Sequence, residues 1–230
     1  MCALVCERCL RAALPCARSL HVLLSHICAT VGLIGSPISE DRLDGLCELA
    51  ATIDGTFGRG EGAALGEAVR RINGVELLAW LTIDPSVQVQ VQALLILGNL
   101  CSDACDPNSS TTKRVMLDRG GHRAIILAVQ SDDPVVLVYA CGCLQNLCHD
   151  DAWAHALVEH EVEKRLEELI EHEDSRVGHY AAGALKNMLT RVGKSAELQN
   201  LSESAKAAIE KRERDALLAG IRYRRAVKKV

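Results

Sequence analysis

The sequence predicts an all-α solenoid, a chain of helices stacked in repeats, and three observations predict it. One phrase is written three times: VQVQALLILGNLC at residues 89–101, VLVYACGCLQNLC at 136–148 and VGHYAAGALKNML at 177–189. The copies align without gaps on Asn99, Asn146 and Asn187, which stand 47 and then 41 residues apart, and self-similarity at that period marks a stacked array. Within each phrase the apolar residues fall on one helical face. Val89, Val136 and Val177 lie ten before the Asn, Ala93, Ala140 and Ala181 six before, Leu97, Leu144 and Leu185 two before, and Leu100, Leu147 and Met188 one after. Steps of 4, 4 and 3 keep these side chains together on a helix. The third observation is composition. Apolar residues make up 49% of 230 residues but aromatics only 3%, so Leu, Val, Ile, Ala and Cys must build the core. Five prolines leave room for long helices.

Along the chain, residues 1–35 form a Cys-rich helical segment, 36–200 the repeat domain and 201–230 a basic helical tail. SPISEDRLDGLCELA (36–50) reads as a degenerate first unit with Glu48 at the Asn position. GTFGRGEGAALG (55–66) has neither Gly-Lys-Ser/Thr nor a strand-to-helix Gly motif, so it reads as a flexible linker rather than a phosphate cradle. Two short helices precede each phrase. The pair in 65–83 breaks at Gly74 and the pair in 111–130 at Gly120-Gly121, while in 152–171 Glu161 stands where glycine is expected. Each long helix is announced by a capping turn, Asp84-Pro85, Asp133-Pro134 or Asp174-Ser175. SDACDPNSSTT (102–112) is an insertion whose Asp, Pro, Asn, Ser and Thr predict an exposed loop. Trp80 and Trp153 are expected to pack between helices.

The Asp-Pro turn, the Ala-x-x-x-Leu-x-Asn-Leu helix and the Gly turn between short helices together resemble the armadillo repeat, over roughly residues 60–192. The resemblance implies a right-handed α-solenoid of about three clear units plus one degenerate. It also implies a concave groove faced by the Asn and by the residues four and seven before it. On this chain that places Gln92, Asn99, Tyr139, Gly142, Asn146, Tyr180, Gly183 and Asn187 in a partner-binding groove. The Asn is expected to bond backbone groups between repeats. Leu95, Gly142 and Gly183 stand where peptide-binding importin-alpha repeats carry Trp, so a nuclear-signal ladder is not expected. Two of only six aromatic residues, Tyr139 and Tyr180, share one offset, and they offer flat apolar surface with a hydroxyl at its edge. Gly142 and Gly183 beside them are expected to leave the backbone open.

Cysteine is the other chemistry on offer. Eleven cysteines, an odd number, sit mostly where a helix wants a small apolar residue, so free thiols in a reducing, cytoplasmic compartment are expected. Cys2, Cys6, Cys9, Cys16, His21, His26 and Cys28 supply metal-ligand types without paired C-x-x-C knuckles, and no metal or cofactor is expected. For residues 1–30, acylation of cysteines, which would give membrane contact, and organelle targeting stay open beside a helical cap over the first repeat. CHDDAWAH (148–155) reads as a helix junction capped by Asp150 or Asp151, not as a catalytic cluster.

Charge divides the chain. Residues 206–230 hold nine Lys or Arg against three acids, a net +6, so the rest carries −10 of the total −4. Arg222, Arg224, Arg225, Lys228 and Lys229 in the tail suit an acidic partner, while the acidic body argues against a nucleic-acid surface. The tail's Leu217, Leu218 and Ile221 are expected to cap the last repeat. No apolar run is long enough to cross a membrane. The expected function is therefore a non-enzymatic scaffold or adaptor that takes a protein or peptide segment in its groove. A structural subunit of a larger assembly is the competing reading, and a Cys/His metal or thiol enzyme the third.

Overall fold

A computed structural model of the chain describes residues 19–56, 61–212 and 214–215, with side-chain surroundings from residue 25 onward. Two helices come first, α1 (Ser19–Ile34) and α2 (Ser39–Thr56). Three units of short, short and long helix follow. They are α3 (Gly62–Arg71), α4 (Gly74–Leu81) and α5 (Val87–Leu100); α6 (Ser109–Asp118), α7 (Gly121–Ala128) and α8 (Pro134–Leu147); and α9 (Asp151–Glu159), α10 (Val162–Ile170) and α11 (Ser175–Arg191). A 3₁₀ turn, Ser195–Asn200, leads into a helix over residues 203–212. Among the described residues there is no strand, and no helix is long and apolar enough to cross a membrane. The architecture is an all-α solenoid.

The long helices form its spine. α2 packs on α5, α5 on α8 and α8 on α11. All twelve side chains at the repeated apolar offsets are buried, from Val89 through Met188. Alternating Ala with Leu lets neighbouring helices approach closely, and no unit could bury this face alone. Cys101, Cys141, Cys143 and Cys148 fill the same core as small apolar residues. They are free thiols, as are Cys28, Cys47 and Cys105.

The turns work as capping chemistry requires. Asp133 Oδ1 accepts from the Val135 and Val136 N–H groups at 2.8 and 3.2 Å, and Pro134 opens α8. Asp174 accepts from the Arg176 N–H at 2.9 Å, and Asp150 from the Trp153 N–H at 3.1 Å. Asp84 differs. It stands two residues before the N-cap Ser86, accepts from the Ser86 N–H at 2.9 Å, and also forms an ion pair with Arg42 of the preceding unit at 3.0 Å.

Between the short helices the left-handed residue is Asn73 (φ 57°), Gly120 (φ 76°) and Glu161 (φ 55°) in turn. The break expected at Gly74 thus falls one residue earlier. Gly74 is needed for a different reason: a Cβ there would lie 2.9 Å from a Val69 methyl, as one on Gly121 would lie 2.7 Å from the Met116 side chain. Glu161 holds a conformation that costs a non-glycine residue about 1–2 kcal/mol. Its ion pair with Lys164 is exposed and offsets little of that. Glu161→Gly should therefore raise unfolding free energy by about 0.5–1 kcal/mol in chemical denaturation, with Lys164→Ala nearly neutral.

Three expectations are corrected by packing. Trp153 is fully buried, its Nε1 donating to the Lys113 carbonyl at 2.8 Å, but Trp80 is 54% exposed. Val75, Leu78 and Ala79 take the inner face of the short helix α4 and leave Trp80 on the outer one. The inserted loop is anchored rather than free: Asp106 and Ser109 are buried, and Asp106 pairs with Arg70 on α3 at 2.6 Å. The second half of the glycine stretch is helix α3, whose buried Gly62 and Gly66 make room for Cys105 and Asp106. Residues 57–60 lie outside the described residues, as do residues 1–18 with Cys2, Cys6, Cys9 and Cys16, and the tail residues Leu217, Leu218, Ile221, Arg222, Arg224, Arg225, Lys228 and Lys229.

Candidate functional site

The inner edges of α5, α8 and α11 enclose a groove of about 790 Å³. Leu94, Leu95, Gly98 and Asn99 line its first part, Val138, Tyr139, Gly142 and Asn146 its middle, and Gly178, His179 and Tyr180 its far end. The rim is polar. Glu171 and His172 come from the turn before α11, Ser175 and Arg176 from its first turn, and Ala208, Lys211 and Asp215 from beyond the last repeat.

The asparagines hold the spine in register. Asn146 Nδ2 donates to the Gly98 carbonyl at 2.9 Å, and Asn187 Nδ2 donates to the Gln145 carbonyl at 3.0 Å. Each acceptor is the residue just before the preceding repeat's Asn, so the bond recurs with the repeat. Asn187 also donates to His149 Nε2 at 3.2 Å. His149 can accept because burial, with Lys113 and Arg191 nearby, holds its pKa below the ordinary value and keeps the imidazole neutral. Asn99 has no such register bond. Its Oδ1 faces the Cys105 thiol at 3.9 Å, and in the unit before it Glu48 accepts from Thr30 Oγ1 at 3.3 Å.

Both tyrosines are half-buried and packed on the core. The Tyr180 ring lies over Gly142, 3.8 Å from where a Cβ on that glycine would stand. It meets His179 edge-on with ring centroids 5.4 Å apart. A residue seven before one Asn therefore rests on the residue four before the previous Asn. Gly183, the last such floor position, is covered as well. A Cβ there would lie 2.5 Å from the Arg212 guanidinium. The glycines expected to stay open are filled by the chain's own side chains, because each repeat needs a cover for its floor.

Among the sequence-derived residues, Asn99, Tyr139, Gly142, Asn146 and Tyr180 line one groove. Gln92, Gly183 and Asn187 do not line it: Gly183 is under Arg212, and Asn187 is engaged in its register bond. The rim residues His172, Arg176, Ala208 and Lys211 were not found from sequence, since none stands at the Asn or at four or seven before it. Arg176 is bound back to Asp174, whose carboxyl is held down to about 2 by the Arg176 hydrogen bonds. Burial holds His179 below the ordinary imidazole value, with Arg212 adding to the effect.

Burial pushes the Cys101 and Cys141 thiols up to about 12 and raises Cys143 and Cys148 as well, and a thiol held protonated is no nucleophile. Among the described residues no group of three His, Cys, Asp or Glu side chains is placed to hold a metal ion.

No family model matches the chain, and no curated protein matches it. Solved structures do. An engineered protein from the Northeast Structural Genomics Consortium is similar at TM-score 0.63 and 22% identity, over 85% of this chain and 80% of that one. A designed armadillo repeat protein is similar at TM-score 0.60 and 14% identity, over 83% and 79% of the two chains. A second designed armadillo repeat protein, solved in complex with peptide (KR)4, is similar at TM-score 0.61 and 16% identity, over 83% and 78%. With the asparagine register bonds and the stacked long helices, these likenesses make the fold an armadillo-type α-solenoid.

Proposed function

We propose that the chain is a non-enzymatic scaffold that binds a protein or peptide segment in the groove of α5, α8 and α11. The observation that carries this reading is the groove itself. Apolar floor from Leu94, Leu95 and Val138 lies beside the Tyr139 and Tyr180 rings, with polar groups along the rim. Aromatic side chains in such a setting dominate interface energies. The peptide held by a designed relative of the same fold is consistent with it. Free thiols on the described part fit a reducing compartment.

A random-peptide display library selected on the full chain supplies the ligand for a test. Tyr139→Ala should weaken the recovered peptide by on the order of 2 kcal/mol in titration calorimetry while the chain stays folded, with a modest loss of stability from its core contact. Tyr180→Ala should weaken it too, with some loss of stability, since that ring also covers Gly142. Unchanged affinity for both variants would move the interface off the groove.

A second reading, a subunit of a larger assembly, has its own observation. Trp80 and Leu127 are 54% and 56% exposed, at matching positions of α4 and α7. Exposed apolar residues in register suit a permanent neighbour.

A further inference from the structure

The helix over residues 203–212 carries a face that the repeat pattern does not require. Ala205, Ala208, Ile209 and Arg212 are spaced i, i+3, i+4 and i+7, which places them on one side. Ala205 is fully buried, and Ala208 and Ile209 pack on the core. Ala208 and Lys211 line the groove, and the Arg212 guanidinium lies on the Gly183 floor. Arg212 thereby does at the end of the array what Tyr180 does for Gly142. A helix is seated where a ligand of the groove's far end would sit.

Among the described residues its grip is small: two alanines and one isoleucine form its apolar contact, where α10 presents Val162, Leu166, Leu169 and Ile170, all buried. The Arg212 Nε is buried with no hydrogen-bond partner among the described residues, and burial lowers the guanidinium's pKa. An unpaired buried donor costs free energy and works against the docked position.

Resting on the groove reading above, we propose that residues 203–212 are an internal ligand. They dock on the α11 end of the groove and yield that surface to a partner helix with the same face: two small residues, a branched aliphatic and an arginine at i, i+3, i+4 and i+7. Recognition of a helix by its i, i+3, i+4 and i+7 side chains is the mode involved. The short connection through Ser195–Asn200 gives the internal copy a high effective concentration, so a partner in trans must compete against it.

The test uses the full chain and a fluorescent synthetic peptide with the sequence of residues 203–215 as probe. Arg212→Ala in the protein should loosen the internal helix. The probe should then bind at least about tenfold tighter than to the unaltered chain in fluorescence anisotropy, in line with relief from a tethered competitor. A probe carrying its own Arg212→Ala change should bind neither protein. In hydrogen exchange, residues 203–212 should open faster in the variant while α11 keeps its protection. Gly183→Ala is the second variant. Its methyl would stand where the guanidinium lies and displace it, and it improves helix propensity in α11, so it should loosen residues 203–212 without unfolding the repeat. Exchange in residues 203–212 that stays as slow as in α11 in both variants would overturn the proposal, by making the helix a fixed cap. So would release of the helix with no gain in probe binding. A chain that still binds the library-selected peptide but never binds the probe would overturn the internal ligand and leave the groove reading standing, so the two readings fail separately.

Discussion

Asp106→Ala should destabilise the fold by about 3–5 kcal/mol, the range for removing one partner of a buried ion pair. Arg70 and Asp106 side chains are 6% and 2% exposed and meet at 2.6 Å. Arg70 also donates to Thr112 Oγ1 at 2.7 Å, and Asp106 accepts from the Asn108 N–H at 2.8 Å. One carboxylate thus ties the inserted loop to α3 and to the start of α6. Without it the buried guanidinium keeps only the half-exposed Glu67 carboxylate, 3.5 Å from its Nε, as counter-charge, and the loop loses its turn. Asp106→Asn keeps an acceptor for Asn108 and should fall between Asp106→Ala and the unaltered chain. Urea unfolding of the three proteins measures this. A cost below about 1 kcal/mol, the value of an exposed pair, would show that the loop is held by other contacts.

Alkaline pH should unfold the protein well before its lysines titrate fully. Burial raises the Cys101 and Cys141 thiols from 9.0 to about 12, and raises Cys143 and Cys148 in the same direction. The folded chain keeps these protons to higher pH than the unfolded chain does. Stability is therefore untouched below about pH 9 and falls as pH rises through the window from 9 to 12. Each thiol contributes up to about 1.4 kcal/mol per pH unit, so four together reach at most about 5.5 kcal/mol per unit, against a total stability of about 5–15 kcal/mol. The denaturation midpoint measured from pH 7 to 11 should be flat and then drop. Replacing all four with alanine should lower stability at pH 7 but flatten the alkaline slope. A slope unchanged by that replacement would place the titrating groups elsewhere.

Periodicity made the spine legible in the sequence. The offsets of ten, six and two before the Asn and one after it are properties of a single helix, and all twelve side chains are buried as the pattern requires. The Asn register bonds followed from the resemblance, and Asn146 and Asn187 make them. Contacts between distant segments were not legible, because no local pattern encodes them. Loop-forming residues at 102–112 concealed Asp106, whose partner Arg70 lies 36 residues earlier. Asn73 and Gly74 divide between them two tasks that glycine does at Gly120 and Gly121, so the left-handed position was assigned one residue late. Trp80 looked like a core residue by size, yet its place on α4 decides its exposure. Half of the groove was legible: Tyr139 and Tyr180 share an offset, but the rim comes from the start of α11, the turn before it and the helix beyond the last repeat, away from the groove offsets. The spacing of Ala205, Ala208, Ile209 and Arg212 was the one signal for the helix that covers Gly183.

The groove is tested most directly by methyl NMR of the isotope-labelled full chain, titrated with a peptide selected on that chain. Leu94, Leu95, Val138 and Ile170 carry the methyl groups that line it. Their signals should shift with peptide, while those of Leu127, Val87 and Val135 on exposed surface stay in place. Shifts confined to Leu127 and its exposed neighbours, with the groove methyls unmoved, would contradict a binding groove and favour the outer edge as the contact surface.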